Sequence, residues 1–165
     1  MKDADSRTKF EFSRYVSTYL QEQIKLADTK AAWTFSFLGI GTAALTTKIA
    51  KIDWASVNLP LTMLFIGISI ALLILAFKST VRVIYPRLSK GNPNGMIYFE
   101  DISSQDKKNY IKKSLSITDE EITKEMVEQS YNLSSVASRK FKALRSAIIV
   151  AVITLIWIIS LLIII

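Results

Sequence analysis

The chain has no cysteine and no histidine, and its 165 residues include only three prolines and five glycines. Without cysteine there is neither a disulfide framework nor a thiol nucleophile, and without histidine the imidazole general base and the usual zinc ligands go as well. Serine, threonine, carboxylates, lysine and tyrosine remain, but no GxSxG, GxxxxGK[ST], HExxH or GxGxxG motif organises them. No enzyme, no metal site and no cofactor are expected on these grounds. Acidic residues are also few, 14 against 21 basic ones, for a net charge of +7. In a soluble protein that excess suggests a nucleic acid. Here another feature redirects the reading.

Half of the residues are hydrophobic, and most of them fall in three blocks. A bilayer core about 30 Å thick needs roughly 20 apolar residues in a helix, within a range of about 17 to 25. Residues 31–47 form an uncharged block of 17, AAWTFSFLGIGTAALTT, bounded by Lys30 and Lys48 and rich in small and hydroxyl side chains. Residues 59–77 form a second, LPLTMLFIGISIALLILAF, with Pro60 in the first turn, where a missing N–H costs nothing. Residues 146–165 form a third without a single charge. About thirty mostly polar residues precede the first block and no cleavage-type tail follows it, so it reads as a retained span and not as a signal peptide. The expected partner is a lipid bilayer, not a nucleic-acid polymer.

Orientation follows from the lysines and arginines flanking the spans. Residues 1–30 carry six, residues 78–145 carry thirteen, and the loop 48–58 carries two, Lys48 and Lys51. The division predicts a cytoplasmic N-terminus, an external loop 48–58, a cytoplasmic region 78–145 and a C-terminus at the outer face. Trp54, Trp33 and Tyr85 sit where aromatic side chains anchor an interface, although ordinary packing accounts for them equally.

The polar regions read as helical too. Phe12, Val16, Tyr19, Leu20, Ile24 and Ala27 recur at intervals of three and four, which marks one helix face, and no Gly or Pro intervenes before Gly39. One long helix from near Ser6 or Thr8 should therefore continue into the first span. Thr118-Asp119-Glu120-Glu121 is a capping box, with acidic residues where the helix dipole favours them. Beyond it Ile122, Met126, Gln129, Leu133, Val136, Ala137, Phe141 and Leu144 trace a stripe with no Gly or Pro up to the last residue. That predicts a helix of about 47 residues, roughly 70 Å at about 1.5 Å each. Its cytoplasmic half should pack with that of the first helix as a stalk. Pro86 should end the second helix after Arg82 and Val83, residues 89–95 read as a loop, and a short helix is expected from Ser104 to about Ser114 capped by Ser103 or Ser104. The fold class is thus an all-α integral membrane protein, with three transmembrane helices and long cytoplasmic extensions of the first and last forming a small helical head.

Several local patterns join this architecture: Ala27-Asp28-Thr29-Lys30-Ala31 before the first span, Tyr85-Pro86-Arg87-Leu88 after the second, Tyr98-Phe99-Glu100-Asp101-Ile102, Gln129-Ser130-Tyr131-Asn132-Leu133-Ser134, and Lys140-Phe141-Lys142-Ala143-Leu144-Arg145 before the third. Together, from about Tyr15 to the end, they resemble the transmembrane effectors of Pycsar antiphage systems. The resemblance implies abortive-infection defence at the bacterial inner membrane. A partner cyclase makes a cyclic pyrimidine mononucleotide, cyclic UMP or cyclic CMP, and the effector then impairs the membrane, oligomerising as it does so. A non-toxic membrane scaffold or regulatory subunit, holding a partner protein through its helical head, is the alternative.

A cyclic mononucleotide offers one phosphate charge and a π face, so its site needs Arg or Lys and an aromatic platform. Arg82, Tyr85, Arg87, Lys90, Tyr98, Asp101, Arg139 and Lys140 are the candidates on the cytoplasmic side. The competing reading of the basic members is contact with anionic lipid. Asp28, with Lys30 beside it, is expected to pair with Lys142 or Arg145 and so fix the first helix to the last. Gly39 and Gly41, with Ser36, Thr42, Ala43 and Ala44, give the first span a small-residue face that either seats the second span or meets another subunit.

Overall fold

In the computed structural model, residues 2–55, 57–85 and 95–164 are described, and among them the regular structure is entirely helical. Five helices follow in order: α1 Lys2–Ile49, α2 Leu59–Ile84, α3 Phe99–Ser104, α4 Lys107–Ser116 and α5 Asp119–Ile164. The first and last are single helices of 48 and 46 residues, as the missing helix breakers predict. At the head of α5 the capping box forms in full: the Thr118 N–H donates to Glu121 Oε2 (2.9 Å) and the Glu121 N–H donates to Thr118 Oγ1 (3.3 Å). Asn58 caps α2, with Pro60 in its first turn, and Tyr85 ends it in an extended conformation, as expected of a residue that precedes proline.

The region expected to hold one short helix holds two. Neither Ser103 nor Ser104 caps α4; Asp106 does, its carboxylate accepting from the N–H groups of Lys108 (3.1 Å) and Asn109 (3.3 Å). A charged acceptor at this position interacts with the helix dipole as well as with the free N–H groups. Ser103 and Ser104 belong to α3 instead.

The chain divides into two compact units, Met1–Lys25 with Arg87–Ser138 and Leu26–Pro86 with Arg139–Ile165. In the first, α1 meets α5 through small hydroxyl residues: Ser13 and Ser130 are buried, and the Ser17 and Ser130 hydroxyls lie 2.7 Å apart. This corrects the expected face of α1. Phe12 and Tyr19 are 67% and 50% exposed, and the contact stripe is Ser13, Val16, Ser17, Leu20 and Ile24. Serines permit a closer helix approach than aromatic rings and satisfy their own hydroxyls across it. The stripe expected on α5 lies on its less exposed side from Ile122 to Leu144.

In the second unit α1, α2 and α5 pack around Leu38, Leu45, Leu73, Ala76, Ala151, Ile158 and Leu161, with a second cluster at Ala27, Ala31, Val83, Leu144 and Ala147. Many of its buried positions are small or hydroxylated, including Thr62, Ser69, Thr80 and Thr154. Each of those hydroxyls donates to the carbonyl four residues earlier in its helix. Ser69 also accepts from Trp157 Nε1–H (3.0 Å), joining α2 to α5. Many other large apolar side chains face outward: Trp33, Phe37, Ile40, Leu64, Ile74, Ile153, Ile156 and Ile159 are all exposed.

Candidate functional site

Two structural features bear on function, one in each unit. The first gathers around Gly95 in the Arg87–Ser138 part of its unit. Glu125 of α5 accepts the Met96 N–H on Oε2 (2.7 Å), and Lys113 of α4 lies 3.8 Å from the same carboxylate. The Gln105 side chain donates to the carbonyls of Gly95 (2.6 Å) and Asp101 (3.1 Å). The start of this segment is therefore pinned from α5 and from the end of α3. Asp101 lies under it, 7% exposed, and among the described residues its Oδ1 has no hydrogen-bond partner. A Cβ on residue 95 would collide with the Asp101 carboxylate, so glycine is required there to let the backbone cover it. A buried acceptor without a donor costs about 1–3 kcal/mol, and such groups are found where a ligand or water supplies the missing bond.

The second feature is the charged edge of the helical unit formed by α1, α2 and α5. Asp28 is paired, but its partner is Lys140 at 2.5 Å, not Lys142 or Arg145. Lys140 shares a face with Leu144 and Ala147, three and four residues apart, and that face turns to α1; Lys142 and Arg145 lie off it and are exposed. The ammonium proposed as a ligand contact is thus already engaged.

The eight candidate ligand residues do not fall in one unit. Tyr98, half-buried, and Asp101 belong to the first; Arg82 and Tyr85 at the end of α2, Arg139 and Lys140 belong to the second. Arg82, Tyr85 and Arg139 are exposed. Arg87 and Lys90 lie outside the described residues. Sequence reasoning named Asp101 but missed Gly95, Gln105 and Glu125, which hold the segment over it. Gly95 reads in sequence only as a turn residue, and a glutamate on a polar helix gives no signal that it reaches a loop 29 positions away.

On the small-residue face of α1, Gly41 meets the last helix and not the second span. It seats α5: a Cβ there would lie 2.9 Å from Leu155 Cδ2 and 3.6 Å from Ile158 Cδ1, whereas Gly39 has open space. Two helices, α2 and α5, are long and apolar enough to cross a membrane. Residues 31–47 of α1 are diluted by glycine, alanine, serine and threonine, and α1 is not among them.

Comparison with known proteins decides the family. Residues 12–165 match the profile of the Pycsar effector protein domain, PycTM. The chain belongs to that family. This Pycsar effector is 27% identical over 146 residues to the Pycsar effector protein SaPycTM of Staphylococcus aureus, covering 87% of each chain. No solved structure matches it. Family membership makes the protein a membrane effector of antiviral defence, in a system whose signal is a cyclic nucleotide from a partner cyclase.

Proposed function

We propose that this effector resides in the bacterial inner membrane and, on receiving a cyclic pyrimidine mononucleotide, oligomerises and breaches that membrane without catalysing a reaction. One observation supports extending the membrane reading to all three spans: in the unit of α1, α2 and α5, large apolar side chains of all three helices cover the outside, while alanine, serine and threonine share the interior with leucines and Ile158. A helical bundle in water does the opposite, because burying large apolar groups is what stabilises it. Small residues inside and hydrocarbon-compatible residues outside are what helix association in lipid requires. Residues 31–47 of α1 bury Ala31, Leu38 and Leu45, yet Trp33, Phe35, Phe37 and Ile40 face out from them, so this stretch too presents an apolar exterior despite its modest hydropathy. The basic residues, nineteen against two, support a cytoplasmic N-terminus and 78–145 region and an outward C-terminus.

In this reading Asp101 accepts an N–H of the pyrimidine base, since cytosine presents an amino donor and uracil an imino donor. Its unpartnered Oδ1 is the support for that role. The test is induced expression in bacteria with and without added cyclic UMP or cyclic CMP, with a potential-sensitive dye as readout. One nucleotide should depolarise the membrane and the other should act weakly. An inserted protein that leaves the potential intact with both would favour the scaffold function.

A further inference from the structure

Between α1 and α5 in the second unit lies an open groove of about 420 Å³. Its volume is in the range of small-molecule sites, about 300–1,000 Å³. Trp33 and Phe37 of α1 and Val152 and Leu155 of α5 form its walls, Ala151 its floor, and Lys30 stands at one end. Ala151 is buried, whereas Trp33 and Val152 are 64% and 48% exposed, so the groove opens to the outside of the unit. A single small residue beneath four large ones is what makes the space.

The end marked by Lys30 is strongly positive. Lys30 is exposed, and among the described residues no carboxylate pairs with it, because Asp28 is engaged by Lys140. Arg145 is exposed and lies three residues before Ile148, which also lines the groove, so helical spacing puts it on the same face at the same end. No acidic residue occurs between Asp28 and Asp53, or after Glu128. The occupant must therefore be apolar along most of its length and anionic at one end.

We propose that this groove binds one anionic phospholipid, an acyl chain lying over Ala151 and the headgroup phosphate on Lys30 and Arg145. The proposal rests on the membrane placement argued above. A second copy of the chain fits less well: inserted in the same orientation, it would bring its own Lys30 and Arg145 to the same edge and add like charges. The lining is also almost wholly apolar, and the hydroxyl of Thr34, which borders it, already donates to the Lys30 carbonyl, so little is left to read a nucleotide base. Trp33 sits near the charged end, where its ring suits the headgroup boundary.

The experiment uses the full chain with Trp54 and Trp157 replaced by Phe, so that Trp33 alone fluoresces, in phosphatidylcholine vesicles holding a minor fraction of brominated phosphatidylglycerol or brominated phosphatidylcholine. Brominated phosphatidylglycerol should quench Trp33 at a several-fold lower mole fraction, since an engaged lysine or arginine near the surface is worth about fivefold. Lys30→Gln with Arg145→Gln should abolish that preference, and Val152→Phe, which fills the groove from its exposed wall, should reduce quenching by both lipids. Native mass spectrometry of the unsubstituted chain should show one retained phosphatidylglycerol, lost in the Lys30→Gln, Arg145→Gln variant. Equal quenching by the two lipids, or a preference that survives the double substitution, would overturn the groove while leaving the membrane placement intact. Trp33 protected from both lipids and crosslinked across two copies would give the groove to a second chain. No quenching of any tryptophan in the unsubstituted protein would overturn the membrane placement and the lipid site together.

Discussion

Asp28 of α1 and Lys140 of α5, 112 positions apart, form an ion pair beside the Ala27–Ala31–Leu144–Ala147 contact of the same helices. Where alanines let two helices approach closely, a charge pair at their edge fixes which residues face each other. Lys140 is the less exposed partner, at 14% against 39% for Asp28, so losing Asp28 leaves a partly buried ammonium without its counter-charge. Asp28→Ala and Lys140→Ala should each lower Tm, and the double variant should lose less than their sum, with a coupling of about 0.5–1 kcal/mol in this partly solvated setting. The loss should be the same with and without nucleotide. A drop in nucleotide affinity specific to Lys140→Ala would return that residue to the ligand site.

Gly41 and Gly39 are two positions apart and should respond oppositely to the same change. At Gly41 an added side chain meets Leu155, which must move; Gly41→Val should destabilise the helical unit by about 1–3 kcal/mol, the usual cost of overpacking. Gly39→Ala meets nothing, and should be neutral or stabilising by up to about 1 kcal/mol through helix propensity. Thermal unfolding in detergent measures both. If Gly39→Val leaves stability intact but prevents crosslinking between copies, the outer side of α1 is the subunit contact.

The long helices were legible because breakers are absent and caps are local: Thr118 and Glu121 are three residues apart and specify the start of α5 alone. On α1 hydrophobicity does not mark the buried side, since Phe12 and Tyr19 face solvent. Where α1 meets α5 the Ser17 and Ser130 hydroxyls touch, and Ser13 is buried on the same side of α1; a serine carries no hydropathy signal. Hydropathy also fails to sort the apolar unit, where Ser69 and Thr154 are inside with Leu38 and Ile158, and Ile156 and Ile159 are outside. The partner of Asp28 was missed by two residues because three basic side chains lie within six positions, and only the helical phase chooses among them.

The Glu121 carboxyl is held below its ordinary value of 4.5, chiefly by the backbone N–H of Thr118 and then by the Thr118 hydroxyl. A carboxylate with a lowered folded pKa contributes its stabilisation fully above the unfolded value and loses it as pH falls through the folded one. The first turn of α5 should therefore be closed at neutral pH and fray only below pH 4.5. Amide hydrogen exchange at residues 119–122 reads this directly. Glu121→Gln should speed exchange of the Thr118 amide at neutral pH and flatten its dependence on acid, whereas Thr118→Ala keeps that backbone bond and should instead speed exchange of the Glu121 amide, whose acceptor is the lost hydroxyl.

Asp101 separates stability from response most sharply. A buried aspartate that is fully hydrogen-bonded destabilises a protein when replaced, because its donors are left stranded. Among the described residues Oδ1 of Asp101 has no donor to strand. Asp101→Asn keeps the shape, removes a poorly compensated charge, and should leave Tm unchanged or raise it by about 1 kcal/mol. The same variant should weaken nucleotide-triggered depolarisation without abolishing it, since the amide oxygen still accepts from the base but lacks the charge that strengthens the bond. Gly95→Ala should weaken the response by another route, because the new Cβ drives the Asp101 carboxylate from its place, and it should lower Tm as well. Isothermal titration with cyclic UMP and cyclic CMP, run beside thermal unfolding, distinguishes the cases. If Asp101→Asn binds and depolarises like the parent, Asp101 is not the base acceptor; if it unfolds early, the carboxylate is a structural group whose partner is a bound water.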